Sequence, residues 1–290
     1  MIRVTDKQYW MDPLLKTQLD TIAYNMLHDF DAVIPISGDG MVRVGKSVLA
    51  QQVGYYLAWK HNTPFSIDNI VFSGKELVEI AQRLPKNSVL IYDEARGELD
   101  SKKVMENITK TLMDFFAECG MFNHAIILVC PDYFELPKGV ALNRSEFLLN
   151  VVRTSSVKKD ADGEEVIKFE RGVYEFYNRK GKKVLYVQGK KQFNDYDIGK
   201  KLRSFWGNFP NIFMIDKEQY EEKKRSHIAR NRRDAKDVIR FSAALAILND
   251  TKGGNMTQQE IVSALKQFDI NITQPRVTQL IAETRVLQAK

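Results

Sequence analysis

The chain has 290 residues, of which 44% are hydrophobic and 28% are charged, a balance typical of a globular protein with a sizeable core. No apolar run approaches the length of a membrane-spanning helix, and residues 1–16 lack the layout of a secretion signal, so we expect a cytoplasmic protein without a membrane span. Cys119 and Cys130 do not have the spacing of metal ligands, and we expect buried thiols in a reducing compartment.

Positive charge is concentrated in the second half of the chain. The net charge is +6 overall, but residues 1–150 carry 15 Lys+Arg against 19 Asp+Glu, whereas residues 151–237 carry 22 against 14. Residues 238–290 carry 6 against 4. A basic second half indicates a polyanionic partner such as nucleic acid, although a basic face can also be merely solvated.

The first half of the chain alternates continuous apolar runs with helical patterns. Continuous runs, in contrast to alternating ones, predict a mostly parallel sheet with helices on both faces, that is, a three-layer α/β core. Pro35 lies inside the first predicted strand, where it would remove a ladder hydrogen bond. The predicted elements are a strand at 29–38, a helix at 46–61, a helix at 71–84 with Ser73 as its N-cap, a strand at 88–95, a helix at 101–122 and a strand at 124–132.

The sequence pattern changes after residue 150. β-rich runs at 165–189 flank "NRKGKK", which predicts a hairpin turn, and residues 217–248 have the pattern of a charged and then apolar helix. A break at "DTKGG" precedes a compact helical unit. The expected regions are a core at 1–150, a small basic β-containing region at 151–237 and a C-terminal domain at 238–290.

The stretch "SGDGMVRVGKSVLA", residues 37–50, fits the Walker A pattern between a predicted strand and a predicted helix. In this pattern glycines let backbone N–H groups face a phosphate, the lysine ammonium reaches the β- and γ-phosphates, and the serine hydroxyl binds Mg²⁺. Lys46 is therefore both a binding and a catalytic candidate, and an ordinary glycine turn is the alternative. The residues predicted to contact the nucleotide here are Gly40, Arg43, Val44, Gly45, Lys46, Ser47 and Val48.

A second motif, "VLIYDEA", ends its predicted strand in two acids. As a Walker B motif it assigns Asp93, together with Ser47, to Mg²⁺, and Glu94 to the attacking water as general base. The alternative is that two acids merely terminate a strand. Because both motifs lie where α/β sheets place ligands, the sequence predicts an ATPase with ATP and Mg²⁺ as cofactors.

The two motifs, followed by a further helix and strand at 101–132, resemble the RecA/AAA+ branch of P-loop NTPases over about residues 25–150. The resemblance implies a polar sensor of the γ-phosphate at the end of the additional strand, where this chain has Asp132 in place of the more usual Asn, Gln, Ser or Thr. Arg43 stands where many such loops have glycine, and "RVGKS" is similar to the loop of archaeal-type and signalling P-loop ATPases. Its side chain would either cover the γ-phosphate or point to solvent.

ATPases of this branch usually work as rings, in which a neighbouring subunit supplies a cation to the phosphoryl group in transit. The resemblance therefore implies a homo-oligomer, most simply a ring. The candidate arginine fingers are Arg144, after the sensor strand, and Arg96, directly after the Walker B acids. A surface salt bridge or a polar loop position is the alternative role for each.

Residues 257–283 have the spacing of a helix-turn-helix. Thr257 with Glu260 forms a predicted capping box, and Thr273 is the predicted cap of the second helix. The pattern resembles the winged-helix module of arginine-repressor-type regulators over about residues 240–290, which implies a helix in the major groove of DNA. Docking to a protein is the alternative use of such a module.

Basic and amide side chains in the C-terminal part are candidates for nucleic-acid contact. Residues 223–236 place seven basic residues in one predicted helix, which would follow a phosphate backbone with salt-sensitive affinity or else be a solvated linker. The predicted contacts are Lys224, Arg225, Arg230, Arg232 and Arg233 in that helix, and Gln274, Arg276, Thr278 and Gln279 in the helix-turn-helix.

Together these features predict an ATP-hydrolysing motor on duplex or single-stranded DNA: a translocase, a helicase or a genome-packaging ATPase. A looser likeness to FtsK/HerA-like and phage-type packaging ATPases points to a virus or mobile element, which would place the protein in a host cytoplasm. Two alternatives remain open. One is an ATP-switched DNA-binding regulator or replication initiator, and the other is a signalling P-loop ATPase whose winged helix docks protein.

Overall fold

A computed structural model of the chain divides into two compact units, Met1–Lys224 and Arg225–Lys290. Cys119 and nearly all of the predicted helix at 101–122 lie outside the residues that the structure describes. Within the described ranges, no helix combines the length and the hydropathy needed to cross a bilayer. The described residues are 2–4, 8–38, 43–93, 122–159, 165–229, 245, 256–266, 273–275 and 277–278.

The first unit contains nine described strands together with helices on both sides of a sheet. Short 3₁₀ turns lie at Ile67–Asn69, Tyr133–Glu135 and Asp197–Lys201, and a π-helical turn lies at Val140–Arg144. The strands and α-helices are β1 (Ile2–Val4), β2 (Tyr9–Met11), α1 (Pro13–Met26), β3 (Ala32–Gly38), α2 (Lys46–His61), β4 (Ile70–Val71), α3 (Gly74–Arg83), β5 (Val89–Asp93), β6 (Ala125–Asp132), β7 (Leu148–Lys159), β8 (Glu165–Tyr177), α4 (Arg179–Lys191), β9 (Phe205–Asn208) and α5 (217–229), whose last residues belong to the second unit.

A seven-stranded sheet in the order β4-β5-β6-β3-β7-β8-β9 forms the centre of this unit. The pairs from β4 to β7 are parallel, and β8 and β9 are added antiparallel. Alternate strand residues pack into two separate apolar cores: Ile34 and Ile91 face α1 and α2, whereas Val33 and Leu90 face α3 and α4. The predicted mostly parallel α/β sheet with helices on both faces is therefore confirmed.

The local signals of the first half predict their elements well. Helix α2 has the predicted bounds, and α3 begins after Ser73, whose hydroxyl accepts a hydrogen bond from Glu76 N at 3.2 Å. The Val33 carbonyl accepts a hydrogen bond from Glu146 N, which lies on the β7 side of β3. Backbone groups of alternate strand residues point to the same neighbouring strand, so those of Pro35 also point toward β7. Because β7 pairs with β3 only from Ile36 onward, the missing N–H of Pro35 falls where the ladder begins.

The predicted hairpin turn at "NRKGKK" is wrong, because these residues begin helix α4. Asn178 caps the helix, its side chain accepting from Lys180 N at 3.1 Å and Gly181 N at 2.9 Å. A Cβ on Gly181 would lie 2.6 Å from the Leu202 carbonyl oxygen, so this glycine permits close packing of a helix and does not form a turn. The strands that do form an antiparallel pair here are β7 and β8.

The predicted boundary at residue 150 falls inside β7. Strands β7, β8 and β9 belong to the same sheet as β3, so the strands of the basic region extend the core sheet. The boundary between the two compact units lies instead within α5, after Lys224.

The second unit contains a described helix, α6 (Gln258–Lys266), that starts at the predicted capping box. Thr257 N donates to Glu260 Oε2 at 2.8 Å, and Glu260 N donates to Thr257 Oγ1 at 3.4 Å. Helical backbone also follows Thr273, whose carbonyl accepts from Val277 N at 3.1 Å. These contacts agree with a capped helix after Thr257 and with helical backbone after Thr273, while the cap at Thr273 and the winged-helix resemblance stay predictions.

The cap at Asn178 gives a direct test of helix α4. We expect Asn178→Ala to lower the free energy of unfolding by about 1 kcal/mol, because two backbone N–H groups lose their acceptor. Asn178→Asp keeps a side-chain acceptor and should retain most of the wild-type stability. Urea denaturation followed by circular dichroism measures the difference, with Asn211→Ala, at an exposed position, as the control. Equal stability of Asn178→Ala and the wild type would contradict this cap.

A buried lysine on the same helix makes stability depend on pH. Lys182 Nζ donates to the carbonyl oxygens of Ala141 at 2.6 Å and Leu142 at 3.3 Å, and burial lowers the pKa of Lys182 from 10.5 to about 8. Between these two values the unfolded chain binds a proton that the folded chain does not, so stability should rise from pH 8 to pH 10.5. In Lys182→Met the free energy of unfolding should no longer show this rise between pH 8 and pH 10.5. If the free energies of unfolding of the variant and the wild type changed with pH in parallel, the assignment of the rise to Lys182 would be refuted.

Candidate functional site

The sheet brings the two predicted motifs to one edge. Strands β3 and β5 are both parallel to β6, which lies between them, so their carboxyl ends are on the same side. Gly38, the last residue of β3, is in register with Asp132 of β6, and Asp93, the last residue of β5, is in register with Val129. Helix α2 begins at this edge with Lys46, directly after the loop.

Two described loop residues have left-handed backbone conformations. Gly45 has φ of 106°, and a Cβ there would lie 3.1 Å from Cζ of Phe209, so both backbone and space require glycine. Arg43 has φ of 61°, a conformation that glycine adopts more readily than any residue with a Cβ. The departure from glycine at Arg43 therefore costs stability, and its side chain is exposed.

The Lys46 ammonium lies over the end of β3. A Cβ built on Gly38 would lie 3.1 Å from Lys46 Nζ and 3.3 Å from the Val151 carbonyl oxygen. The absence of a side chain at Gly38 thus leaves space for this ammonium. Gly38 was not among the predicted site residues, although a glycine at the end of a strand before the loop was the signal that could have identified it. The side chains of Val44 and Val48 are buried in the core, so only their backbone could contact a nucleotide.

Ser47 and Asp93 meet at one hydroxyl group, that of Tyr220 on α5. Tyr220 donates to Asp93 Oδ2 at 2.5 Å, and the Ser47 side chain lies close enough to the same hydroxyl to lower the Tyr220 pKa. Burial and the neighbouring Asp93 charge raise the pKa of Tyr220, while Ser47 acts in the opposite direction, so the phenol stays protonated and donates. The predicted metal pair is therefore gathered at one point, with a third side chain between them.

Lys224 lies one helical turn further along α5 and contacts the same carboxylate. Its Nζ is 3.4 Å from Asp93 Oδ2, 3.5 Å from Oδ1 and 3.1 Å from the Tyr220 hydroxyl. The Asp93 side chain is 4% exposed, so its negative charge is compensated by this ammonium within the protein. Lys224 was predicted to contact a nucleic-acid backbone, and the structure gives it Asp93 as its partner.

The Ser47 hydroxyl and the Asp93 carboxylate have the chemistry of a Mg²⁺ site. Both are hard oxygen donors, and Mg²⁺ in proteins commonly takes one or two such ligands together with waters and substrate phosphates. Since both side chains lie beside the Tyr220 hydroxyl, the pair fits the ion. In the part of the chain that the structure describes, no group of three or more His, Cys, Asp or Glu residues gathers as a metal cage.

A segment after β9 packs against the first half of α2, and its Phe209 ring lies next to Gly45. Gln52 Nε2 donates to the carbonyls of Pro210 at 2.6 Å and Ile212 at 2.9 Å, and Gln51 Oε1 accepts from Met214 N and Ile215 N at 3.2 Å each. Both glutamines are buried, and two adjacent amides in an apolar helix were the signal that the sequence analysis overlooked. They fix the covering segment (residues 209–215) independently of Asp93.

Asp132 lies at this edge but its carboxylate is engaged locally. Oδ1 accepts from the Tyr196 hydroxyl at 2.7 Å and Phe134 N at 3.0 Å, and Oδ2 accepts from Asn194 Nδ2 at 3.2 Å. Burial and the Asp132 charge raise the pKa of Tyr196. The proposed sensor is therefore held next to Gly38 by three donors, and its role stays a prediction.

Arg144 lies at the opposite edge of the sheet. It ends the π-helical turn, and its Nη1 is 3.8 Å from Oδ1 of Asp31, which precedes β3. Because the loop before α2 follows the other end of β3, Arg144 is remote from the loop of its own chain. As an arginine finger it would have to act on the site of a neighbouring copy.

Apart from Lys224, the predicted nucleic-acid contacts that the structure describes are Arg225, Gln274 and Thr278, all in the second unit. Gln274 Nε2 donates to Gln258 Oε1 at 3.5 Å, Thr278 Oγ1 donates to the Gln274 carbonyl at 3.2 Å, and both side chains are exposed, as is that of Arg225. The predicted site residues outside the description are Gly40, Glu94, Arg96, Arg230, Arg232, Arg233, Arg276 and Gln279.

Comparison with known proteins gives no further assignment. No protein-family model matches the chain, and no curated protein sequence matches it. The function of this site must therefore be argued from its own residues.

The left-handed backbone at Arg43 predicts a stability difference between two substitutions. Arg43→Gly should be about 1 kcal/mol more stable than Arg43→Ala, because only glycine adopts positive φ without a steric penalty. Thermal or urea unfolding measures this difference. Equal stability of the two variants would show that the loop does not keep this conformation in solution.

Proposed function

We propose that the chain is an ATP-hydrolysing enzyme that acts on DNA. The observation that carries this proposal is that Ser47 at the start of α2 and Asp93 at the end of β5 both lie beside the Tyr220 hydroxyl. The residues are 46 positions apart in sequence, and a parallel sheet with an intervening strand brings them together. This supports the interpretation of both motifs as halves of one nucleotide site.

Each residue has a distinct role in the proposed site. Phosphates would bind the backbone N–H groups at the N-terminus of α2, where the helix dipole also favours negative charge. Lys46 would stabilise the charge that develops on the transferring phosphoryl group, and Ser47 with Asp93 would hold Mg²⁺. Bound Mg²⁺ supplies charge neutralisation on the β- and γ-phosphate oxygens. Glu94, which follows Asp93 in the sequence, would orient and deprotonate the attacking water.

The strand order supports the proposed relationship to the RecA/AAA+ branch. The additional strand predicted after Walker B is β6, and it lies between β3 and β5 in the sheet. Its end residue, Asp132, is next to Gly38, where a sensor of the bound nucleotide would have to be. We further propose a homo-oligomeric ring, in which Arg144 would reach the site of a neighbouring subunit.

The DNA-directed half of the proposal rests on the second unit and the charge distribution. The capping box at Thr257 and the helical backbone after Thr273 support the predicted helix-turn-helix. A DNA translocase, helicase or packaging ATPase is the leading form. The second candidate, an ATP-switched DNA-binding regulator, is favoured by the contact of Tyr220 and Lys224 with Asp93, because α5 leads from the site into the second unit.

Turnover measurements test the proposal directly. Glu94→Gln should bind ATP but lose nearly all hydrolysis, and Lys46→Ala should lose binding as well, because the phosphates lose their ammonium partner. Lys60→Ala, the same substitution at the far end of α2, is the matched control and should behave as wild type. Unchanged hydrolysis in either Lys46→Ala or Glu94→Gln would overturn the assignment.

The same assay separates the two DNA-acting candidates. We expect turnover that rises with the length of added duplex or single-stranded DNA if the chain is a motor. Slow turnover together with tight, ATP-dependent binding to particular DNA sequences would instead identify a switch.

A further inference from the structure

The structure shows the Asp93 carboxylate already satisfied by residues of its own chain. Tyr220 donates one hydrogen bond to Oδ2, and the Lys224 ammonium lies 3.4–3.5 Å from both oxygens. The Ser47 side chain lies beside the same Tyr220 hydroxyl. One hydroxyl and one ammonium therefore occupy the contacts that a Mg²⁺ ion and its waters would need.

We infer that Tyr220 and Lys224 form a latch that keeps Mg²⁺-nucleotide from the site until these two side chains leave Asp93. This inference rests on the proposed nucleotide function, and it assigns to α5 the regulation of that site. Mg²⁺ binding and the Tyr220–Lys224 contacts exclude each other, because a metal ion and the Lys224 ammonium cannot occupy the same position next to the buried Asp93 oxygens. The latched state is the one that the structure shows.

The latch is built from side chains one helical turn apart, which lie on the same face of α5. The Tyr220 ring is buried between Phe72 and Phe213, with ring centroids 6.2 and 6.1 Å away. Lys224 Nζ is in addition 5.9 Å from the centre of the Phe72 ring and 5.5 Å from that of Tyr220. The aromatic packing orients both polar groups toward Asp93.

A separate contact holds α5 on the first unit without using Asp93. Lys223 Nζ lies 3.1 Å from Glu76 Oε1 and donates to the carbonyls of Ile70 at 2.5 Å and Ile67 at 3.2 Å. Release of Tyr220 and Lys224 from Asp93 therefore does not require α5 to leave the unit altogether. The covering segment at 209–215 is likewise held by its own glutamine contacts.

The latch links nucleotide to the rest of the chain. Helix α5 continues to residue 229, past the unit boundary after Lys224, so the two latch residues lie on a helix whose last residues belong to the second unit. Coupling of this kind is reciprocal: whatever draws α5 from Asp93 raises the affinity for Mg²⁺-nucleotide, and Mg²⁺-nucleotide favours the displaced helix.

Nucleotide binding to the full chain tests the latch. Fluorescence anisotropy with a labelled ATP analogue would be measured in excess Mg²⁺ and in excess chelator for the wild type, Tyr220→Phe, Lys224→Met and the double variant. We expect the gain in affinity that Mg²⁺ provides to be about tenfold larger in each single variant than in the wild type, since removal of one charged hydrogen bond is worth roughly this factor, and larger again in the double variant. Tyr220→Phe keeps the buried ring, so loss of folding would not explain its effect.

Lys217→Met is the matched control, because Lys217 lies on the same helix, pairs with Glu221 and does not contact Asp93. It should show the Mg²⁺ dependence of the wild type. Hydrogen exchange gives a readout that does not depend on turnover: amides of 217–224 should exchange faster in wild type saturated with Mg²⁺-nucleotide than in the free protein. Slower exchange there would overturn the latch.

The possible outcomes separate the two proposals. Equal Mg²⁺ dependence in the wild type and the double variant would overturn the latch and leave the nucleotide site standing. Weaker Mg²⁺-nucleotide binding by Tyr220→Phe or Lys224→Met would also overturn it, because these groups would then help to hold the ligand. Absence of binding by every variant, the double variant included, would overturn the nucleotide site and the latch together.

Discussion

The buried charge of Asp93 is the constraint on which the arrangement around the site depends. A carboxylate that is 4% exposed is strongly destabilising unless a cation or hydrogen-bond donors accompany it. In the structure Lys224 and Tyr220 meet this requirement, which fixes the face that α5 presents to the sheet. On the proposed function, Mg²⁺ would meet the same requirement when a nucleotide is bound, so that one charge would have two alternative partners. Competition between them would make the site responsive to the position of a helix.

Local signals in the sequence were sufficient for the elements that form the site edge. The apolar run into Gly38, the helix after Gly45 and the strand ending in Asp93 could be predicted because each depends on residues that are neighbours in the chain. Capping signals at Ser73 and Thr257 were read correctly for the same reason. The joining of the two motifs followed from a general rule, that parallel strands end at a common edge.

The contacts that the sequence analysis missed are those between distant parts of the chain. The glycine of "NRKGKK" indicated a turn, because nothing local shows that Gly181 packs against the backbone of Leu202. Lys224 was placed among DNA contacts, because a lysine in a basic helix looks the same whether it faces solvent or a buried acid 131 positions away. Tyr220 was not singled out at all, since a tyrosine in a charged segment has no pattern that identifies its partner.

The two sets of contacts around the loop differ in what they allow to move. Gln51 and Gln52 bind the covering segment through backbone groups, and nucleotide offers no competing partner for them, so that segment is a fixed wall. Tyr220 and Lys224 bind Asp93 through the groups for which a metal would compete, and only these contacts must change when the site is loaded. Lys223 holds the same helix by carbonyl groups of Ile67 and Ile70 that no ligand would claim. On the proposed function, the change at loading would be confined to one face of α5, the helix whose last residues belong to the second unit.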